Sequence, residues 1–144
     1  HAEGAACVVG GRRVRLDSGG CYFEPTVFDR VDNGMRIARE EIFGPVMSVI
    51  RFETEAQAIA LANASSYGLQ AAVWSDSLSR AHRVARALRA GTVHVNQYDE
   101  DDITVPFGGV RQSGHGRDKS LHAFAEYTAL KTTWLRIDPA APNT

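Results

Sequence analysis

The sequence predicts an α/β fold, built as a mostly parallel sheet with flanking helices. Short apolar and β-branched runs alternate with stretches of helical spacing, the pattern of parallel strands joined through crossover helices. Gly, Ser, Thr and Asn stand at the joints between these segments, where turns and caps need them. The chain has 144 residues, 44% hydrophobic and 23% charged. That suits one compact domain, and excludes disorder, collagen and coiled coil.

Taken in order, residues 6–9 form a short apolar run closed by Gly10-Gly11, a turn. Residues 23–28 are β-rich but contain Pro25, which places them at an edge or a strand start. Residues 35–41 read as a short helix and residues 46–52 as a buried strand. Thr54 with Gln57 three positions on makes a capping-box arrangement. The helix it opens presents Ala58, Ile59, Leu61 and Ala62 and ends by Gly68. Residues 69–74 give the next strand. Asp76 or Ser77 caps a further helix, on which Leu78, Ala81, Val84, Ala85 and Leu88 recur at helical spacing, and Gly91 stands as its C′ glycine. Residues 92–96 are a β-branched strand, followed by a loop to Lys119. Residues 120–127 allow one or two helical turns, 128–137 read as a final strand, and 138–144 as a tail.

The net charge is −1, from 16 basic and 17 acidic residues, which argues against nucleic acid or an anionic membrane as partner. Arg80, Arg83, Arg86 and Arg89 recur every three residues and read as a solvated helix face. No apolar run approaches the roughly 18 residues of a membrane span. Cys7 and Cys21 form neither a CxxC nor a metal-spaced cluster, which fits free thiols in a reducing cytoplasm. No signal peptide is visible, and the first residue is not Met, so a processed chain or a piece of a longer one is expected.

In open parallel sheets ligands sit beyond the carboxyl ends of strands, which marks the loop after Asn96 as a site candidate. A second candidate is Glu40-Glu41-Ile42-Phe43-Gly44-Pro45, between a short helix and a buried strand. A carboxylate and an aromatic two residues apart at a Gly-Pro corner could present an acceptor and a flat ring to one ligand. A helix end followed by a packed Phe accounts for the same residues.

This stretch resembles the EEIFGP motif of aldehyde dehydrogenases. Tyr22-Phe23-Glu24-Pro25-Thr26-Val27-Phe28 is similar to that family's aromatic-x-x-Pro-Thr strand. The stretch NASSYGL, from Asn63 to Leu69, resembles its helix-to-strand turn, and Gly91-Thr92-Val93-His94-Val95-Asn96 its GTVWVN strand. Pro106-Phe107-Gly108-Gly109 and Ser113-Gly114-His115-Gly116-Arg117 resemble its PFGGxKxSGxGRE loop. Six motifs stand in the family's order over nearly the whole chain, and the final loop is most similar to the γ-glutamyl-γ-aminobutyraldehyde branch.

The resemblance implies the distal part of a catalytic domain over residues 1–126, an oligomerisation strand at 127–137 through which the chain self-associates, and a tail at 138–144. It implies NAD or NADP as cofactor, with Glu41 accepting hydrogen bonds from the nicotinamide ribose and Phe43 packing near the nicotinamide ring. The family's nucleophile is a cysteine thiolate, with a glutamate that activates water. Neither Cys7 nor Cys21 fits that cysteine's motif. The nucleophile, the glutamate and the Gly-rich cofactor domain are expected upstream of His1, and this chain alone is expected to be inactive. Gly114-x-Gly116 lacks the third glycine of a dinucleotide fingerprint.

The resemblance further places the residues after Asn96 along the aldehyde entry channel, with Phe107 in its aromatic wall. Asp99-Glu100-Asp101-Asp102 crowds four carboxylates together, which is costly unless they are solvated or face a cation. Asp99 and Asp101 are therefore candidates to receive an aldehyde that carries an ammonium group, an ω-aminoaldehyde or its γ-glutamyl conjugate, and a solvated acidic turn is the other reading. An EF-hand is excluded by the missing glycine and distal glutamate, and no residues have metal-ligand spacing. His94 takes the place of the family's usual aromatic and reads as a packing residue. Ala129 stands where many members carry an acid that pairs with the arginine corresponding to Arg117. A non-catalytic α/β interaction or oligomerisation module is the alternative to the enzymatic reading.

Overall fold

The computed structural model describes residues 2–98 and 102–137. Its first unit is a three-stranded sheet of β1 (Ala6–Val9), β4 (Thr26–Asp29) and β5 (Val46–Ser48), in the order β1-β4-β5. β1 and β4 run antiparallel, with a register irregularity between Cys7 and Val9, and β4 and β5 run parallel with Thr26 opposite Val46. Between β1 and β4 the chain makes a short hairpin of β2 (Arg13–Val14) and β3 (Tyr22–Phe23). Gly10 and Gly11 launch it with φ of 70° and 94°, angles that glycine adopts without steric cost. A side chain at Gly10 would also run into the carbonyl of Pro25.

The second unit follows α1 (Arg36–Arg39) and β5. α2 (Glu55–Asn63) leads to β6 (Gln70–Val73), and α3 (Leu78–Ala87) leads to β7 (Thr92–Val95), which pairs parallel with β6. Local chemistry starts both helices as the sequence predicts. The Thr54 hydroxyl accepts from the Gln57 N–H, and the Gln57 side chain accepts from the Glu53 N–H. Of the two candidates before α3, Ser77 is the cap, accepting from the Arg80 N–H. The helices are tied together by Asn63, which donates to the Ala87 carbonyl and accepts from the Arg89 N–H. Glu55 on α2 receives two hydrogen bonds from Arg83 on α3, with Arg80 at 3.4 Å. Two members of the arginine row are thus engaged in helix pairing rather than only solvated.

Two sequence expectations need correction. The sheet is not one mostly parallel layer, because the described strands form three small sheets with as many antiparallel as parallel pairings. The glycine turn after β1 produces the antiparallel part, and no ladder joins β5 to β6. Instead an apolar cleft of about 810 Å³ lies there, lined by Ile50, Phe52, Ile59, Val73 and Trp74 among others. Gly91 is not the C′ residue of α3, whose cap is Leu88. A side chain at Gly91 would collide with the Gly108 carbonyl, so close backbone approach is what the position requires. Finally, residues 128–137 form no ladder within this chain, so the expected strand would have its pairing partner outside it. A lone extended segment leaves its N–H and C=O groups without a ladder, and Leu130 and Trp134 are almost wholly exposed.

The core is thin. Among apolar side chains only Ala5, Val31 and Ala81 are fully buried among the described residues. Among the described residues no helix is long and apolar enough to cross a membrane.

Candidate functional site

The corner after α1 is built by one short helix and one strand. Arg36 on α1 holds Glu40 through two hydrogen bonds of 3.0 and 3.2 Å. Those bonds keep the Glu40 carboxyl below its ordinary pKa. Of the two adjacent carboxylates, Glu40 is therefore committed to the protein, whereas Glu41 is exposed and has no hydrogen bond among the described residues. The chain then passes Ile42 to Phe43, which adopts a φ of 51° and leaves its ring 93% exposed. A left-handed conformation at a bulky residue costs about 1–3 kcal/mol and persists only where neighbours impose it. Here the neighbours impose it: the Pro45 carbonyl accepts from the Thr26 N–H at 2.8 Å, and the Gly44 carbonyl from the Val46 N–H at 2.7 Å. The Gly-Pro step is thereby pinned to β4, and an acceptor and a ring are presented two residues apart.

The second sequence-marked region lies at the far side of the β6–β7 pair. Phe107 forms an isolated antiparallel bridge with Asp118, each backbone donating to the other at 2.9 and 2.7 Å. The Lys119 ammonium lies 5.4 Å from the centre of the Phe107 ring, within cation–π range. Asp99 and Asp101 lie outside the described residues. Asp102 is described, and its Oδ1 accepts from the Thr104 N–H and hydroxyl, both at 2.8 Å. Those bonds lower the Asp102 pKa.

Three residues shape this region through contacts that the sequence did not show. Asn96 ends β7 with a φ of 54°. Its side chain accepts from the Ser75 N–H at 2.8 Å and donates to the Ser75 carbonyl at 3.1 Å. That reciprocal pair latches the start of the long loop to the exit of β6. Arg117 donates from one nitrogen to the carbonyls of Gly109, His115 and Gly116, so it holds the loop from inside. Arg111 donates to the Asn63 and Ser65 carbonyls just beyond α2. The only sequence signal for these roles was an Asn at a strand end and arginines in a glycine-rich loop.

The two cysteines are far from equally accessible. Cys21 is exposed, and Cys7 is half-buried in β1 with its thiol directed at the Val9 and Gly10 carbonyls. No cluster of three metal-ligating side chains occurs among the described residues.

Comparison with known proteins bears on this geometry. Residues 1–133 match the profile described as "Aldehyde dehydrogenase family". The NADP/NAD-dependent aldehyde dehydrogenase PuuC of Escherichia coli (strain K12) is 59% identical over 114 residues, covering 79% of this chain and 23% of that protein. Betaine aldehyde dehydrogenase 1 of Rhizobium meliloti (strain 1021) is 51% identical over 139 residues, 96% of this chain and 28% of that protein. A crystal structure of an indole-3-acetaldehyde dehydrogenase complexed with NAD+ superposes with a TM-score of 0.88 at 60% identity, covering 95% of this chain and 28% of the other. The chain thus spans about a quarter of the length of the curated relatives it matches.

Proposed function

Because the chain belongs to the aldehyde dehydrogenase family, we propose that it is the C-terminal part of an NAD(P)-dependent enzyme that oxidises an aldehyde to its carboxylic acid. The observation that carries this is the corner after α1, where the unpartnered Glu41 carboxylate and the uncovered Phe43 ring stand two residues apart. A carboxylate can accept from both hydroxyls of a ribose at once, and an exposed ring offers a flat wall to nicotinamide. The residues present therefore fit a nicotinamide cofactor. NAD or NADP supplies the hydride acceptor when bound. The part of this chain is to orient: Glu41 grips the ribose and Phe43 restricts the swing of the ring, a positioning effect.

Phe107, together with Asp99 and Asp101, lines the aldehyde entrance in this reading. Acidic groups there favour an aldehyde that carries an ammonium group, such as an aminoaldehyde or its γ-glutamyl conjugate. The similarity to PuuC and to betaine aldehyde dehydrogenases supports that lean. Residues 1–126 contribute to the catalytic domain, and residues 127–137 pair with a sheet edge of another subunit to join a homo-oligomer. The setting is cytoplasmic, in keeping with two free thiols. Neither thiol serves as nucleophile, so the chain by itself produces no NAD(P)H.

A chimera tests the reading. This chain replaces the matching C-terminal stretch of the Escherichia coli relative, and turnover is compared with and without Glu41→Gln. Loss of one charge-assisted hydrogen bond is worth about 1.5–3 kcal/mol, so kcat is expected to fall about ten- to a hundredfold. Turnover unchanged by Glu41→Gln and by Phe43→Ala would remove the basis of the proposal. In the same chimera, Asp99→Asn with Asp101→Asn is expected to lower kcat/KM for an aminoaldehyde but not for a neutral aldehyde of similar length.

A further inference from the structure

Glu40 and Glu41 are adjacent and chemically alike, so something must decide which of them faces outward at the corner after α1. Glu40 has an extended backbone, with φ of −104° and ψ of 142°. Side chains on extended backbone alternate in direction. The side on which Glu40 is held therefore sets the opposite side for Glu41. A slip of one residue would exchange the two carboxylates and break the spacing of Glu41 to Phe43.

Arg36 does the holding. Its guanidinium makes a two-point fork with the Glu40 carboxylate, Nε to Oε1 at 3.2 Å and Nη2 to Oε2 at 3.0 Å. Its carbonyl accepts from the Glu40 N–H at 2.9 Å. Main chain and side chain of Glu40 are thus tied to one residue. Arg36 is itself tied down, because its N–H donates to the Glu3 carboxylate at 2.8 Å. These ties matter because α1 has only four residues, and a helix of one turn does not hold its own shape. The side chains of the pair are 77% and 60% exposed, and exposed pairs add little to stability. What the fork supplies is direction, since a planar guanidinium fixes a carboxylate at two points and an ammonium does not.

We propose that Arg36 is a positioning residue, which selects Glu41 over Glu40 as the carboxylate offered to the cofactor ribose. The inference rests on the cofactor reading above. Its test uses the same chimera, with kcat, melting temperature, and KM for both NAD and the aldehyde measured for each variant. Arg36→Met is expected to raise KM for NAD about three- to tenfold through misplacement of the grip. The loss of kcat should be smaller, and KM for the aldehyde and the melting temperature should not move. Adding Glu40→Gln to Arg36→Met removes the rival carboxylate and should recover most of the loss. Arg36→Lys, which keeps the charge but not the fork, should fall between the parent and Arg36→Met. A KM for NAD unmoved by Arg36→Met would overturn the proposal. So would a loss that Glu40→Gln leaves in place, because Arg36 would then have a merely structural part. The two readings fail separately. Glu41→Gln without effect removes the cofactor reading and this inference with it, whereas an effect of Glu41→Gln without one of Arg36→Met removes this inference alone. A second measurement needs no turnover: in the 144-residue chain, nitrogen-15 relaxation should report lower backbone order at Glu41 in Arg36→Met than in the parent. Unchanged order at Glu41 would likewise overturn the proposal.

Discussion

Phe43 holds a φ of 51° although its ring gains nothing from burial. Strain at an exposed side chain makes sense where function needs that side chain in that direction. The consequence is a trade between stability and activity. Phe43→Gly relieves the left-handed penalty of about 1–2 kcal/mol and offsets part of it through the greater freedom of glycine in the unfolded chain. A net gain of about 0.5–1 kcal/mol is expected in urea denaturation, alongside lower turnover in the chimera described above. A variant that is less stable than the parent would show that the ring packs after all. At this scale the sequence was a partial guide. The motif located Glu41 and Phe43, but which of the adjacent carboxylates was committed elsewhere depended on Arg36, a helical turn away. His94, read as a packing residue from the family position, is indeed buried in β7.

Between elements, the best-defined polar contact joins α2 to α3. Arg83 donates to both oxygens of Glu55 at 2.6 and 2.8 Å. These bonds hold the Glu55 carboxyl below its ordinary value of 4.5, with Arg80 adding attraction. A carboxyl whose pKa is depressed by folding stabilises the fold above its unfolded value. The contribution of the clamp, measured as the difference in melting temperature between the parent and Glu55→Gln, should be constant near neutrality. It should begin to shrink below 4.5 and vanish once the pH passes the lowered folded value. A difference that persists in strong acid would assign the effect of the substitution to packing. Elements with local causes were legible: Thr54 and Ser77 announced α2 and α3, a short apolar run announced β6, and a β-branched run announced β7, within a residue or two. The hairpin of β2 and β3 was not, since two-residue strands are too short to show a period. The docking of the long loop was not legible either. It depends on Gly68, whose carbonyl accepts from both the Gly91 and Val110 N–H groups at 3.0 Å, contacts between positions far apart in the chain. Gly91 was marked as special for the wrong reason, because a helix end and a close backbone approach both select glycine.

For the molecule as a whole, surface area decides whether this chain completes a core. A folded monomer of 15.7 kDa exposes about 7,300 Å² by the usual scaling. This chain exposes 11781 Å². The excess of about 4,500 Å² relative to that scaling is too large to come from scattered side chains, since monomers rarely carry contiguous apolar patches beyond a few hundred Å². Its sources can be named. The cleft between β5 and β6 is open along Ile50, Phe52 and Trp74, and a groove beside Ile103 is lined by Leu121, Phe124 and Tyr127. Beyond it, Leu130, Trp134, Leu135 and Ile137 stand clear of the fold. Two parallel strand pairs with unpaired edges and apolar faces behave as halves of a larger sheet, and an exposed edge invites association. The chain alone is therefore expected to self-associate and to bind a hydrophobic dye strongly. Supplying the upstream polypeptide of a relative in the same cell should suppress both. Sedimentation that finds a monodisperse monomer with little dye binding would show that the exposed faces find partners within the chain, and that the segment is a domain in its own right.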